Sequence, residues 1–204
     1  MPANHNSRFT AVALKHASRL LNHGPTVLVT SAAGGKRNIM AVAWSMPVEI
    51  TPPRIALVID KKTYTRELVM VSGHVGVCVP GAAFADKVYA VGGTSGHDLS
   101  GQDKFDAYAI PAVTGPVLGL PLVEEGQAAW LECRLIPERH TEEAYDACFA
   151  EIVSAAADPR VFSQGHWTFN EGNADLHTLH HLGAGTFMCA GRVLRAQPAM
   201  HASG

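Results

Sequence analysis

Hydrophobic positions in this chain come in short runs, partly alternating and broken by glycine and proline, a pattern that predicts a β-rich fold. Thr26-Val-Leu-Val-Thr-Ser31 is β-branched and reads as a half-buried strand. The glycine pair in Ala32-Ala-Gly-Gly-Lys36 can take positive φ, so the chain reverses there as a hairpin. Asn38 to Met46 returns as a second strand, stopped by Pro47. Pro52-Pro53 introduces a third, Arg54 to Ile59, which runs into Asp60-Lys-Lys-Thr-Tyr-Thr-Arg66. A helix from Arg66 to Ser72 and a strand from His74 to Val79 follow.

Elsewhere the period changes. Phe9 to Leu21 has helical spacing and ends at Asn22-His-Gly-Pro25. Ala82 to Val91 reads as a short helix closed by Gly92-Gly93, and residues 94–106 as a loop. Tyr108 to Ile110 is a brief strand, residues 114–121 are turn-punctuated, and 127–137 alternate as a strand around Trp130 and Leu135. Residues 141–157 combine good helix formers with helical spacing. Residues 162–175 form an irregular connection and Ala184 to Ala196 the last strand. The whole chain, 1–204, fits one domain with loose ends at 1–8 and 197–204.

Composition narrows the function classes. Only 17% of residues are charged, which suggests a surface partly covered by another chain. A net charge of −2 gives no reason to expect nucleic acid or an anionic membrane. The N-terminus lacks the basic and apolar regions of a signal peptide, and no apolar run approaches a membrane span. Cys78, Cys133, Cys148 and Cys189 are widely spaced, which predicts reduced thiols packed as small core residues in a cytoplasmic protein.

Lys62-Thr63-Tyr64-Thr65 stands at a strand-to-helix turn, where free N–H groups, hydroxyls and a cation suit a phosphate dianion. The competing reading is that Thr63 or Thr65 caps the helix. Three other signals fail. Ser31 to Arg37 lacks the first glycine and the hydroxyl of a P-loop. Gly183-Ala-Gly185 lacks the third glycine of a dinucleotide fingerprint. His177, His180 and His181 are spaced to share a helix face, but no His-Glu-x-x-His motif completes a metal site.

Asn38-x-Met-Ala-x-x-Trp44, the Thr51-Pro-Pro-Arg54 strand entry, Thr63-Tyr-Thr-x-Glu-Leu68 and Gly73-His-Val-Gly-Val-Cys-Val-Pro80 together resemble the flavin reductase-like family, which includes flavoredoxins. The resemblance runs from about Pro25 to Arg195. It implies a mainly β fold, an antiparallel split β-barrel with a few peripheral helices. It also implies FMN as cofactor, bound near the interface of a homodimer, with NADH or NADPH as electron donor. Backbone groups of Asn38, Ile39, Met40 and Ala41 would then border the flavin ring, with Trp44 beside it and small Ala41 and Ala43 permitting close approach. Lys62, Thr63, Tyr64 and Thr65 would hold the phosphate. Ser95-Gly-His-Asp-Leu-Ser-Gly-Gln-Asp-Lys-Phe105 resembles the family's Ser-Gly-x-Asp-x-Asp-Lys-Phe loop, with an insertion before Asp103. It would bring Ser95, Gly96 and Lys104 to the cofactor. The resemblance further implies a strand at 147–156, leaving a helical turn at 141–146. The expected activity is hydride transfer from a nicotinamide through FMN to flavin or another acceptor. A flavoredoxin-like carrier, or a flavin-binding protein without turnover, is the alternative. No protein acid or base is assigned, because in such chemistry the cofactor reacts and the protein positions it. Strands 127–136 and 184–196 are expected to form part of the dimer surface.

Overall fold

The computed structural model describes residues 25–196; the helix expected at Phe9–Leu21 and the loose ends lie outside them. The first hairpin forms as its residues dictate. β1 (Val27–Ala33) pairs antiparallel with β2 (Lys36–Val42) across Gly34 and Gly35, whose φ values of 55° and 76° are the reason for the glycine pair. β2 stops earlier than the sequence suggests. After a bend at Ala43-Trp44 the chain continues as β3 (Ser45–Ile50), which contains Pro47 rather than ending at it. The proline is tolerated because β3 is an edge strand, where a missing N–H leaves no neighbour unbonded.

β4 (Pro53–Val58) leads to α1 (Tyr64–Ser72), and Gly73 at φ 68° closes that helix. β5 (His74–Pro80) follows. The predicted Ala82–Val91 helix is a 3-10 turn, Ala82–Phe84, running into α2 (Ala85–Gly93). Within the 94–106 loop Asp103 caps a short α3 (Lys104–Ala107). Tyr108–Ile110 forms no strand: Tyr108 caps α3, and Ala109 sits at φ 48°. β6 (Val113–Thr114) and β7 (Pro121–Leu122) pair across the turn-rich segment, and β8 (Gln127–Ile136) is the long strand expected there.

The contested region resolves as α4 (Arg139–Tyr145) and β9 (Ala147–Ala157), so one stretch of helix formers divides between two elements. Tertiary pairing outweighs local propensity here, because β9 is hydrogen-bonded to β8 on one side and β4 on the other. The connection beyond it holds β10 (Phe162–Ser163), β11 (His166–Trp167) and a 3-10 turn over Glu171–Leu176. The chain closes with β12 (Leu179–Gly183) and β13 (Thr186–Cys189). The last strand is therefore a short hairpin arm, not a run from 184 to 196, and His180 and His181 lie on a strand instead of a helix. Among the described residues no group of three His, Cys, Asp or Glu could hold a metal ion, and no helix is long and apolar enough to cross a membrane.

The seven-stranded sheet has the order β2-β1-β5-β8-β9-β4-β3, all antiparallel. Val42 near one edge and Leu57 near the other share a core cluster with Val27, Val29, Val75, Val77, Cys133 and Cys148. Their convergence shows the sheet curled on itself, with its two edge strands joined through the 43–44 bend. This is a split β-barrel. Leu28, Ile39 and Cys78 point the other way, into a second cluster with Phe84, Val88, Val91 and Phe105. β1 is thus buried on both faces, which explains why its sequence alternates only in part. Each fully buried Val, Leu or Ile contributes ~1.5–3 kcal/mol. Three cysteines are core residues as expected; Cys189 is exposed on β13. Burial pushes the thiols of Cys78 and Cys133 up to about 12, so both are inert at neutral pH.

Candidate functional site

The turn before α1 is internally satisfied. Lys62 N–H donates to Asp60 Oδ1 at 2.8 Å, and Thr63 N–H and Oγ1 both donate to Asp60 O, at 2.9 and 2.8 Å. Thr63 Oγ1 also accepts from Arg66 N, making it the helix cap. Its single proton is engaged, so the capping reading holds for Thr63. Tyr64 and Thr65 follow at the first helical positions, where N–H groups have no acceptor within the helix. Thr65 is fully buried, and its hydroxyl accepts from Asn38 Nδ2 at 2.8 Å, tying α1 to β2.

Arg66, also buried, fixes this turn from behind. Its guanidinium donates to Ile59 O, to Glu142 O and to Cys148 Sγ, and so joins α1 to α4 and β9.

On the opposite wall, Gly92 packs so closely on β2 that an added Cβ would stand 3.1 Å from Ala41 Cβ. Gly96 is more tightly constrained, since a Cβ there would meet Tyr64 Cδ1 at 2.5 Å and Asn38 Oδ1 at 2.9 Å. Lys104 on α3 is buried, and its ammonium donates to Val91 O at 2.7 Å. Burial lowers its pKa to about 8. Arg37, at the start of β2, anchors the loop that delivers it: the guanidinium pairs with Asp103 and Asp106 and lies over the Phe105 ring.

These groups enclose a cleft of about 260 Å³. Ten of the twelve residues expected from sequence line it: Asn38, Met40, Ala41, Lys62, Thr63, Tyr64, Thr65, Ser95, Gly96 and Lys104. Two do not. Ile39 points into the core, because side chains alternate along a strand, and Trp44 lies outside, half exposed in the bend after β2. Asp60, Gly92, Gly93 and Thr94 also line the cleft and were not singled out; the only signal was a glycine pair that reads equally well as a helix stop. A second chamber of about 310 Å³ shares Ala41, Gly92 and Gly93 with the cleft, and is bounded further by Thr26, Ala43, Val88, Tyr89, His181 and Phe187. It draws on the residue before β1, on β2, α2 and the β12–β13 hairpin, a juxtaposition no local motif announces.

A floor of closely packed glycine and alanine, a helix N-terminus and a buried lysine suit a flat ligand carrying an anionic tail. The comparisons with known proteins agree in kind. The sequence model of the flavin reductase like domain matches residues 19–177. An Escherichia coli relative, the uncharacterized protein YddH, is 56% identical over 192 residues, covering 93% of this chain and 99% of its own length. The crystal structure of an FMN-binding domain of a flavin reductase-like enzyme from Shewanella baltica superposes with a TM-score of 0.81 at 39% identity, covering 92% of this chain and 97% of that one. The flavoredoxin of Methanosarcina acetivorans shares the fold, with a TM-score of 0.74 at 21% identity over 93% and 95% of the two chains. Both the match of the family model and the shared split barrel make this protein a member of the flavin reductase-like domain family.

Proposed function

We propose that the chain is an FMN-dependent oxidoreductase that accepts a hydride from NADH or NADPH and passes the electrons to flavin or another acceptor. The observation that carries this reading is the make-up of one cleft, which brings Lys104, Lys62 and the first N–H groups of α1 together with the closely packed Ala41, Gly92 and Gly93. Family membership and the likeness to an FMN-binding relative support the choice of flavin. A bound FMN supplies a ring that takes up hydride and releases electrons. Everything else falls to the chain. Lys104 and Lys62 neutralise the phosphate, and the N–H groups of Tyr64 and Thr65 donate to it along a favourable helix dipole. Ser95 and the Asn38–Thr65 pair would border the ribityl chain. The Ala41 floor lets backbone groups approach the ring edge, and Gly92 lets α2 pack against that floor without a side chain between them. The active unit is a homodimer whose second copy covers the exposed apolar side chains of the β3 edge.

The test is direct. The purified protein should take up one FMN per chain and show the visible spectrum of a bound flavin. NADH or NADPH should bleach that spectrum rapidly under anaerobic conditions. Absence of FMN binding overturns the reading; binding without nicotinamide-driven bleaching identifies an electron carrier served by a partner instead.

A further inference from the structure

The chamber beside the cleft has a chemistry of its own. Its lining, which includes Thr26, Tyr89, His181, Gly185 and Phe187, contains no Lys, Arg, Asp or Glu among the described residues. A nicotinamide dinucleotide or a free flavin nucleotide carries phosphates, and this lining offers them no countercharge. The volume of about 310 Å³ lies at the lower end of the ~300–1,000 Å³ of ligand pockets, room for one or two fused rings. The walls suit a planar guest. Tyr89 stands against the backbone of Gly185, where an added Cβ would come within 2.8 Å of its ring, and Phe187 pairs with the His181 ring, their centroids 5.3 Å apart.

One polar group in this lining is left over. Thr26 is 3% exposed, its backbone N–H donates to Leu179 O at 2.7 Å, and its hydroxyl has no hydrogen-bond partner among the described residues. Oγ1 has almost no exposed surface as it stands; a change of χ1 rotamer would turn it toward the chamber, where a carbonyl oxygen would supply the missing partner.

We infer that this chamber binds uncharged planar quinones of one or two rings, with the Thr26 hydroxyl donating to a quinone carbonyl. The inference rests on the flavoprotein reading above and names the acceptor which that reading leaves open. The shared residues Ala41, Gly92 and Gly93 set such a guest beside the proposed cofactor cleft. The overall reaction balances as nicotinamide donor plus quinone plus one proton giving oxidised nicotinamide plus hydroquinone. Two electrons and one proton come from the donor's hydride, and the second proton from solvent. Both quinone carbonyls become hydroxyls, and Thr26 can face either form, since a hydroxyl both donates and accepts.

Equilibrium dialysis of menadione against the oxidised, FMN-loaded protein reads binding without turnover. Saturable binding of one menadione per chain is expected, tighter than that of 2-methylnaphthalene, which has the same ring system and no carbonyl. Thr26→Val should remove that preference, weakening menadione about three- to tenfold, while Thr26→Ser restores it; a neutral hydrogen bond has about this effect. Tyr89→Ala, at an exposed rim position, should weaken both compounds with FMN loading intact. Non-saturable uptake, or a menadione preference unchanged in Thr26→Val, overturns the inference. So does menadione competing with FMN for the protein, which would mean that the chamber houses the flavin ring. A protein that takes up no FMN at all fails the functional reading instead; the same isotherms on that protein then decide the quinone site by the same criteria.

Discussion

Lys104 concentrates the site's electrostatics in one side chain. Its folded pKa of about 8 lies below the ordinary 10.5, so the protein carries a desolvation cost at neutral pH on the order of 3 kcal/mol. Below about pH 8 that cost is present in full. Between pH 8 and 10.5 the unfolded chain holds a proton that the folded chain has released, so stability rises with pH. Cys78 and Cys133 act oppositely above pH 9, because their raised folded values keep protons that the unfolded chain loses. Comparison with Lys104→Met isolates the lysine. The variant should be more stable than wild type at pH 7 by ~1–3 kcal/mol in urea, with the advantage shrinking from pH 8 upward. Its FMN affinity should fall at least tenfold. Wild-type affinity should hold from pH 6.5 to 8 and decline above, as the ammonium deprotonates in the free protein. A flat profile across pH 8 would remove Lys104 from the phosphate site.

The two threonines separate in the same way. Thr63→Ala should cost ~1 kcal/mol of stability, the usual effect of losing a helix cap, with the ratio of FMN to riboflavin affinity unchanged. Thr65→Ala should lower that ratio about tenfold, because the hydroxyl that accepts from Asn38 still has a proton to direct into the cleft. Equal ratios in both variants would leave the phosphate to backbone groups and lysines alone. Sequence picked out residues that the fold brings together around this cleft, since hydroxyls, glycine and lysine around a helix start are chemically distinctive. It did not tell which hydroxyl was already engaged. That depends on Asp60 O and Arg66 N, partners that only the folded turn brings together.

At the scale of elements, the strands that pair locally were legible and the short distant ones were not. The β1–β2 hairpin, β5 and β8 follow from alternation and turn chemistry. The break between β2 and β3, and the β6–β7 and β12–β13 pairs, have no comparable local signal, because two- to five-residue strands are too short to show a period. Glu132 illustrates a constraint invisible in sequence. It lies fully buried on β8, and its carboxylate accepts from Val117 N and Leu118 N at 2.9 and 2.8 Å, holding the turn between β6 and β7. Gly115 leaves room for it: an added Cβ would stand 2.1 Å from Glu132 Oε1. Glu132→Gln places an NH₂ against one of two N–H donors and should cost ~1–3 kcal/mol by chemical denaturation. Gly115→Ala should cost at least as much by displacing the carboxylate. If the pair of changes together costs no more than either alone, the two residues form one coupled unit; simple additivity would refute that coupling.

Over the whole molecule, the surface left uncovered tells most about assembly. β8, expected to form part of the dimer surface, is paired on both sides by β5 and β9, so it would meet a partner through a face and not through a free edge. The free edge with apolar side chains is β3. Met46, Val48 and Ile50 are 60%, 46% and 87% exposed, with Trp44 49% exposed in the bend before them; a register shift between Pro47 and Glu49 sets Met46 and Ile50 on opposite faces of the strand, so apolar side chains reach solvent from both. Sequence periodicity showed these residues as apolar but could not say which side of the barrel they would face. An edge strand of this kind pairs or is covered in a stable protein, and a low fraction of charged residues leaves little to prevent it. A second copy of the chain set along this edge would bury these side chains. The prediction is that the FMN-loaded protein sediments as a dimer at micromolar concentration. Met46→Asp combined with Ile50→Lys should convert it to a monomer of unchanged far-ultraviolet circular dichroism, since both side chains lie in solvent within the protomer. A wild-type protein that sediments as a monomer with FMN bound would sink the assembly proposal outright. A double variant that remains dimeric would move the interface away from β3 to another face.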